Sequence, residues 1–176
     1  MHPIIYDVAV SLDGFIAGPA GDVSQFAYDG PVVEDYQARM ASYSTALMGR
    51  ETYEFGYQFG LTPGQTPYPH MQCVVVSSTL TLPEEAEVLV ERTAQKERIL
   101  SLCDAAPGPV YLCGGGQFAG WMLSQGLITE VRLKRAPILL GAGVPLFGGT
   151  AQTGALKRVS TTPYDNGYLL ETFTLA

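Results

Sequence analysis

Val110-Tyr111-Leu112-Cys113-Gly114-Gly115-Gly116-Gln117-Phe118-Ala119-Gly120-Trp121-Met122-Leu123 runs a buried strand into three glycines and then, with no spacer, into a helical pattern. The opening residues are apolar and suit a strand. Glycine has no Cβ, so backbone amides there can come close to a ligand, and a positive φ costs little. A helix that follows directly offers amides without partners inside the helix and the positive end of its dipole. Strand, glycine turn and helix start together make a site for a phosphate or pyrophosphate. The stretch is neither GxGxxG nor GxxxxGK[ST]. The alternative reading of this stretch alone is a tight strand-to-helix connection with no ligand.

A second junction of the same kind lies upstream, in Leu47-Met48-Gly49-Arg50-Glu51-Thr52-Tyr53. Gly49 permits a tight turn and places Arg50 and Thr52 at a helix start. Arg50 is either a planar fork of donors for a phosphate or a solvated surface residue. The Thr52 hydroxyl can donate as well. Open α/β sheets bind ligands outside the carboxyl ends of their strands, and a dinucleotide has two phosphates to satisfy. The pair of junctions therefore says more than either one. Ser77 and Ser78 end a third apolar run; they suit a ribose or 2′-phosphate, or equally a turn or cap. Asp13, in Ser11-Leu12-Asp13-Gly14-Phe15-Ile16-Ala17-Gly18, is a substrate carboxylate or a turn former beside Gly14. Phe15 and Ile16 need a cover, which the core or a cofactor ring would supply.

Outward from these motifs, strands are expected at 4–10, 45–48, 73–77, 88–90, 110–113, 130–140, 156–161 and 168–175, about eight in all. Helices are expected at 34–43, from 49 onward, at 94–103 and from the glycine run to about 126. Residues 11–30 read as a long loop of the kind that is often functional. Asp165-Asn166-Gly167 between the last two strands signals a hairpin. Strands alternating with helices indicate an α/β fold, a mostly parallel sheet covered on both faces, which the closing hairpin makes mixed. With 176 residues and neither repeat nor linker, one domain over 1–176 is expected.

Only 15% of the residues are charged and 47% are hydrophobic, a globular composition. The net charge of −7 argues against a nucleic-acid surface, which needs a basic stripe. No apolar run reaches membrane-spanning length. The chain enters a strand pattern at its start, with no secretory leader visible. Cys73, Cys103 and Cys113 are scattered and form no metal set with His2 and His70. Reduced thiols in a cytoplasmic protein, without a metal, are the expectation. Neither histidine has a partner for Ser-His-Asp chemistry. If the protein is an enzyme, a cofactor carries the reaction.

Ser11–Ala17, Met48-Gly49-Arg50-Glu51-Thr52-Tyr53-Glu54, Gly114-Gly115-Gly116, Ala136-Pro137-Ile138-Leu139-Leu140-Gly141-Ala142-Gly143 and Leu146-Phe147-Gly148 occur in that order. With this ordered set the chain resembles the dihydrofolate reductase-like superfamily. The branch it resembles most contains the reductase domain of the bacterial riboflavin-biosynthesis deaminase-reductase. The resemblance covers residues 4–175 and implies a three-layer fold, NADPH as hydride donor, a small-molecule substrate and a homodimer. It implies a reductase acting on a small heterocyclic or sugar-derived substrate, such as 5-amino-6-(5-phosphoribosylamino)uracil. A dihydrofolate or pterin reductase and a non-catalytic NADP-binding module are the alternatives. Carried across, Gly49, Arg50 and Thr52 match the helix start that holds cofactor phosphate. Ser77 and Ser78 match the adenosine end, and Gly114, Gly115, Gly116, Gln117 and Phe118 the second phosphate junction. Val8, Ala9 and Ile16 match the nicotinamide lining, and Asp13 the acid used for the substrate's sugar, the one catalytic candidate. The chain departs from the pattern twice. Cys113 stands where riboflavin-pathway reductases carry a glutamate before the glycines. The loop 19–29 lacks the tryptophan and Leu-Pro pair of dihydrofolate reductases proper.

Overall fold

The computed structural model describes residues 2–175. Eight strands form one mixed sheet, β1 (Ile4–Val10), β3 (Thr45–Gly49), β4 (Gln72–Val76), β5 (Leu89–Glu91), β6 (Val110–Gly114), β7 (Glu130–Arg135), β9 (Leu156–Pro163) and β10 (Leu169–Leu175), in the order β5-β4-β3-β6-β1-β7-β10-β9. The pairs from β5 through β1 to β7 are parallel; β10 runs antiparallel to both β7 and β9. The hairpin between β9 and β10 turns at Asp165-Asn166-Gly167, with Gly167 at φ 84°. The four α-helices are α1 (Pro31–Met40), α2 (Arg50–Phe55), α3 (Lys96–Ala105) and α4 (Gly116–Ser124). Ile99 and Cys103 of α3 and Ala119 and Met122 of α4 pack with Ile4, Tyr6, Leu47 and Leu112 on one face. Met40 of α1 and Tyr53 of α2 pack with Ile5, Ala46, Val75 and Tyr111 on the other. Alternate residues of each central strand thus feed opposite cores, which is why these strands are largely apolar on both faces.

Two expectations are corrected in detail. The strand expected over 130–140 ends at Arg135. Ala136 still donates to Val10 O, but Pro137 has no N–H to continue the ladder. Ile138 then packs against Val32 and Tyr168, while Leu139 is left 66% exposed. Helix α1 starts at Pro31, ahead of the expected 34; proline suits the first helical position, where its missing N–H would have no partner anyway. The 11–30 segment also holds a short strand, β2 (Phe15–Ala17), which pairs with β8 (Val144–Pro145). That pairing lays the 144–150 loop across the start of α4. Gly116 and Gly148 make this close approach possible, since a Cβ on Gly116 would stand 2.2 Å from Pro145 O and one on Gly148 2.6 Å from Gln117 Cα.

Candidate active site

A cavity of about 990 Å³ opens at the carboxyl ends of β1, β3, β4 and β6. Gly49, Arg50 and Thr52 line it from the β3–α2 junction, and Gly115, Gly116, Gln117 and Phe118 from the β6–α4 junction. Ser77 and Ser78 line it beyond β4, and Val8 and Ile16 from β1 and β2. The first bond of α4 runs from Ala119 N to Gly115 O. The amides of Gly116, Gln117 and Phe118 come before it and have no carbonyl to pair with inside the helix. A Cβ on Gly115 would lie 3.0 Å from Thr52 Oγ1, so the two junctions face each other across a gap that only a glycine leaves open. Gly114 is not in the cavity wall. It takes φ 103° and presents its backbone to the Tyr6 ring, so its role is the turn.

Ser77 Oγ accepts bonds from Thr79 N and Leu80 N. It caps the turn and lines the cavity at once, leaving its own proton free to donate. Arg50 reaches Glu54 at 3.4 Å but stays largely exposed. Beside the serines stand Thr79 and Arg92, whose guanidinium donates to Leu80 O at 2.6 Å. Arg92 was not visible as a site residue in the sequence, because it sits in a polar stretch with no motif. Trp121, the one tryptophan of the chain, also lines this cavity.

A second cavity of about 490 Å³ adjoins the first. The two share Val8, Ile16, Val23 and Phe55 in their walls. Ala9 belongs to the second. Its polar end is built on Asp7 and Lys134, both buried. The Asp7 carboxylate accepts from Arg39 Nε at 2.9 Å, Lys134 Nζ at 3.0 Å and Tyr43 OH at 3.1 Å. Burial pushes its pKa up, but the two cations outweigh this and hold the carboxyl below its ordinary range. Lys134 faces only one carboxylate and has Arg39 nearby, so burial wins and brings its pKa down to about 8. Its ammonium sits 3.3 Å from the centre of the Tyr36 ring, a cation–π contact. The Tyr36 and Tyr111 hydroxyls are 2.8 Å apart. Cys113 Sγ lies 3.5 Å from Tyr68 OH, and burial pushes that thiol up, leaving it neutral. Nothing in the sequence marked this cluster, since β7 reads Glu130-Val131-Arg132-Leu133-Lys134-Arg135 and Lys134 is one charge among four there, while Asp7 is the lone charge of β1.

Asp13 lines neither cavity. Its carboxylate accepts from Ser11 Oγ, from Gly141 N at 2.7 Å and from Leu140 N at 3.1 Å. The Ser11 hydroxyl and these amides hold its pKa below the usual carboxylate value. The geometry ties Asp13 to the 140–141 backbone. His70 Nε2 is engaged with Met40 O at 3.0 Å. All three cysteines are free, and no metal-ligand group occurs among the described residues.

This sheet order, with its C-terminal hairpin and its cleft at the strand ends, is the dihydrofolate reductase-like fold. Dihydrofolate reductase of Enterococcus faecalis, solved in complex with NADP(H), superposes with a TM-score of 0.71 at 17% identity, covering 98% of this chain and 96% of that one. Residues 3–170 match the RibD C-terminal domain, and the chain belongs to that family. A candidate riboflavin biosynthesis protein of Shewanella sp. PV-4 superposes with a TM-score of 0.83 at 26% identity, over 100% of this chain and 99% of that one. YyaP of Bacillus subtilis strain 168, itself uncharacterized, is 27% identical over 174 residues, 93% of this chain and 90% of YyaP. No helix among the described residues is long and apolar enough to cross a membrane.

Proposed function

We propose that this chain is an NADPH-dependent reductase of a small heterocyclic acceptor. The observation that carries the reading is that the two cavities meet at Val8 and Ile16, so a dinucleotide site and a separate chamber share one wall. The residues present fit the cofactor. Gly115 lets the Thr52 hydroxyl and the α4 amides stand close together on the cavity wall, where a phosphate in the cavity would take bonds from both. Arg50 adds positive charge at its edge. Ser77, Ser78, Thr79 and Arg92 suit an adenosine ribose carrying a 2′-phosphate. Val8, Ala9 and Ile16 offer an apolar face to the nicotinamide. When bound, the reduced nicotinamide supplies hydride to an electrophilic carbon. The protein's part is to orient donor and acceptor and to keep water from the shared wall.

NADPH is expected to bind more tightly than NADH. Arg92→Leu should weaken NADPH about tenfold, the low end for a charge-assisted bond because Arg92 is exposed, and leave NADH almost unchanged. Titrations of both nucleotides by Trp121 emission check this; an Arg92→Leu variant with the same preference as the parent would remove Arg92 from the site. For Asp13 the favoured role is to anchor the 140–141 loop. Asp13→Asn should then turn over normally, while Asp13→Ala should be cut faster by protease in that loop. A large loss of turnover in the Asn variant would return Asp13 to the reaction.

The same reading includes a homodimer. Strand β9 is exposed along its whole length, with Leu156 and Val159 open to solvent at the sheet edge, and such edges are usually covered. Light scattering is expected to give twice the chain mass, and a single chain mass at micromolar concentration would count against the dimer.

A further inference from the structure

The smaller cavity has a character of its own. Its walls are largely Val8, Val23, Phe26, Val32, Val33 and Phe55, with Tyr36, Tyr111 and Tyr168 beside them. Lys134 is its one lining cation, and it shares the Asp7 carboxylate, 3.0 Å away, with Arg39. Helix α1 begins at this wall with Pro31, which has no N–H to give, and carries Glu34 in its first turn. A dianionic phosphate against these apolar walls would lose hydration and meet a single surplus charge, that of two cations about one carboxylate, with no helix start prepared for it. A flat, uncharged ring fits better. It would stack among the apolar walls and bring one carbonyl or imine group to the polar end.

We propose that the chamber takes a planar, uncharged, phosphate-free heterocycle, whose C=O or C=N group accepts a hydrogen bond and then a proton from Lys134. The proposal rests on the reductase reading for the source of hydride, and it departs from the phosphoribosyl substrate that the family resemblance implies. In the step, hydride adds to the ring carbon and the C=O or C=N π pair takes the proton of the Lys134 ammonium. A C–H and an O–H or N–H bond form, and the nicotinamide is left oxidised. The Lys134 amine regains a proton from water. Asp7 positions the ammonium and keeps it charged, helped by the Tyr36 ring face beneath it. The lowered pKa of Lys134 suits this duty, since a group near 8 is still protonated at neutral pH yet gives up its proton readily.

The test uses quinazoline-2,4-dione, a neutral bicyclic dione, and ribose 5-phosphate as the phosphosugar probe, each titrated into the whole chain by calorimetry. The dione is expected to bind and ribose 5-phosphate is not. Lys134→Met should weaken the dione about tenfold, as expected for one charge-assisted hydrogen bond, without changing NADPH affinity. Gly115→Val, in the other cavity, should leave dione binding intact. Equal dione affinity in Lys134→Met and the parent, or ribose 5-phosphate that binds and is displaced by the dione, overturns the proposal. Should Lys134→Met fail to fold, the comparison of the two probes on the unaltered chain still decides the substrate class. NADPH that does not bind at all would sink the reductase reading while leaving the dione experiments valid, so the two failures are separable.

Discussion

Gly115→Val is expected to abolish NADPH binding, raising Kd at least about a hundredfold, or ~2.7 kcal/mol, in a chain that still folds. Gly115 sits at φ −69° and ψ −164°, extended backbone that any residue adopts. Its φ and ψ therefore do not demand glycine. What demands it is the space, since a Cβ there already stands 3.0 Å from Thr52 Oγ1 and the two valine methyls would fill the gap where phosphate is to lie. The neighbouring glycine should behave in the opposite way. A Cβ on Gly116 would meet the Pro145 backbone oxygen at 2.2 Å and Gly148 N at 3.1 Å, so Gly116→Ala must lift the 144–150 loop off α4. Overpacking of this kind costs about 1–3 kcal/mol of stability. Circular dichroism, thermal melts and Trp121 titrations on both variants check the pair. A folded Gly115→Val protein with normal NADPH affinity would reduce the glycine run to a turn.

Asp7→Ala should be among the most destabilising single changes, by about 3–5 kcal/mol, because it strands the charges of Lys134 and Arg39 without their carboxylate. The Asp7 side chain is fully buried and the Lys134 side chain only 9% exposed, so solvent screens this pair little. The pH dependence follows from the direction of the Asp7 shift. Its carboxyl titrates at 3.8 when unperturbed and lower in the fold. Its stabilising contribution is therefore complete above the unfolded value and is lost as pH falls through the folded one. Urea denaturation at neutral pH should show the loss in Asp7→Ala, and an acid titration should show a shallower decline below about pH 4 than in the parent. An unchanged urea midpoint would mean that the cluster is not coupled to folding.

The centre of the sheet was readable because β1, β3, β4 and β6 are largely apolar runs bounded by glycine, proline or polar turns, and the hairpin because its strands alternate about Asp165-Asn166-Gly167. The β2–β8 pair was not readable. It rests on three residues and two, and what holds it is the fit of Gly116, Gly143 and Gly148 against backbone brought from far along the chain. The two strand-glycine-helix junctions carry a local signature, glycine next to a helix start, so their place could be found from sequence. The smaller cavity carries none. Tyr36, Tyr111, Lys134 and Asp7 come from four elements and become a site only through sheet order and the packing of α1. Arg92 escaped for a similar reason, since only the pairing of β4 with β5 brings it beside Ser77. Asp13 was prominent in the sequence because of its motif. Its partners at 140 and 141 lie too far along the chain for the sequence to suggest them.

The central claim is that a dinucleotide lies along the strand ends with its nicotinamide at the wall between the two cavities. A crystal structure of the chain soaked with NADPH tests it most directly. The account predicts the 2′-phosphate beside Ser77, Ser78 and Arg92, the pyrophosphate between Thr52 and the Gly116–Phe118 amides, and the nicotinamide against Val8 and Ile16, with its reactive carbon facing the chamber that holds Lys134. Nucleotide bound elsewhere, or a nicotinamide turned away from that chamber, would contradict it.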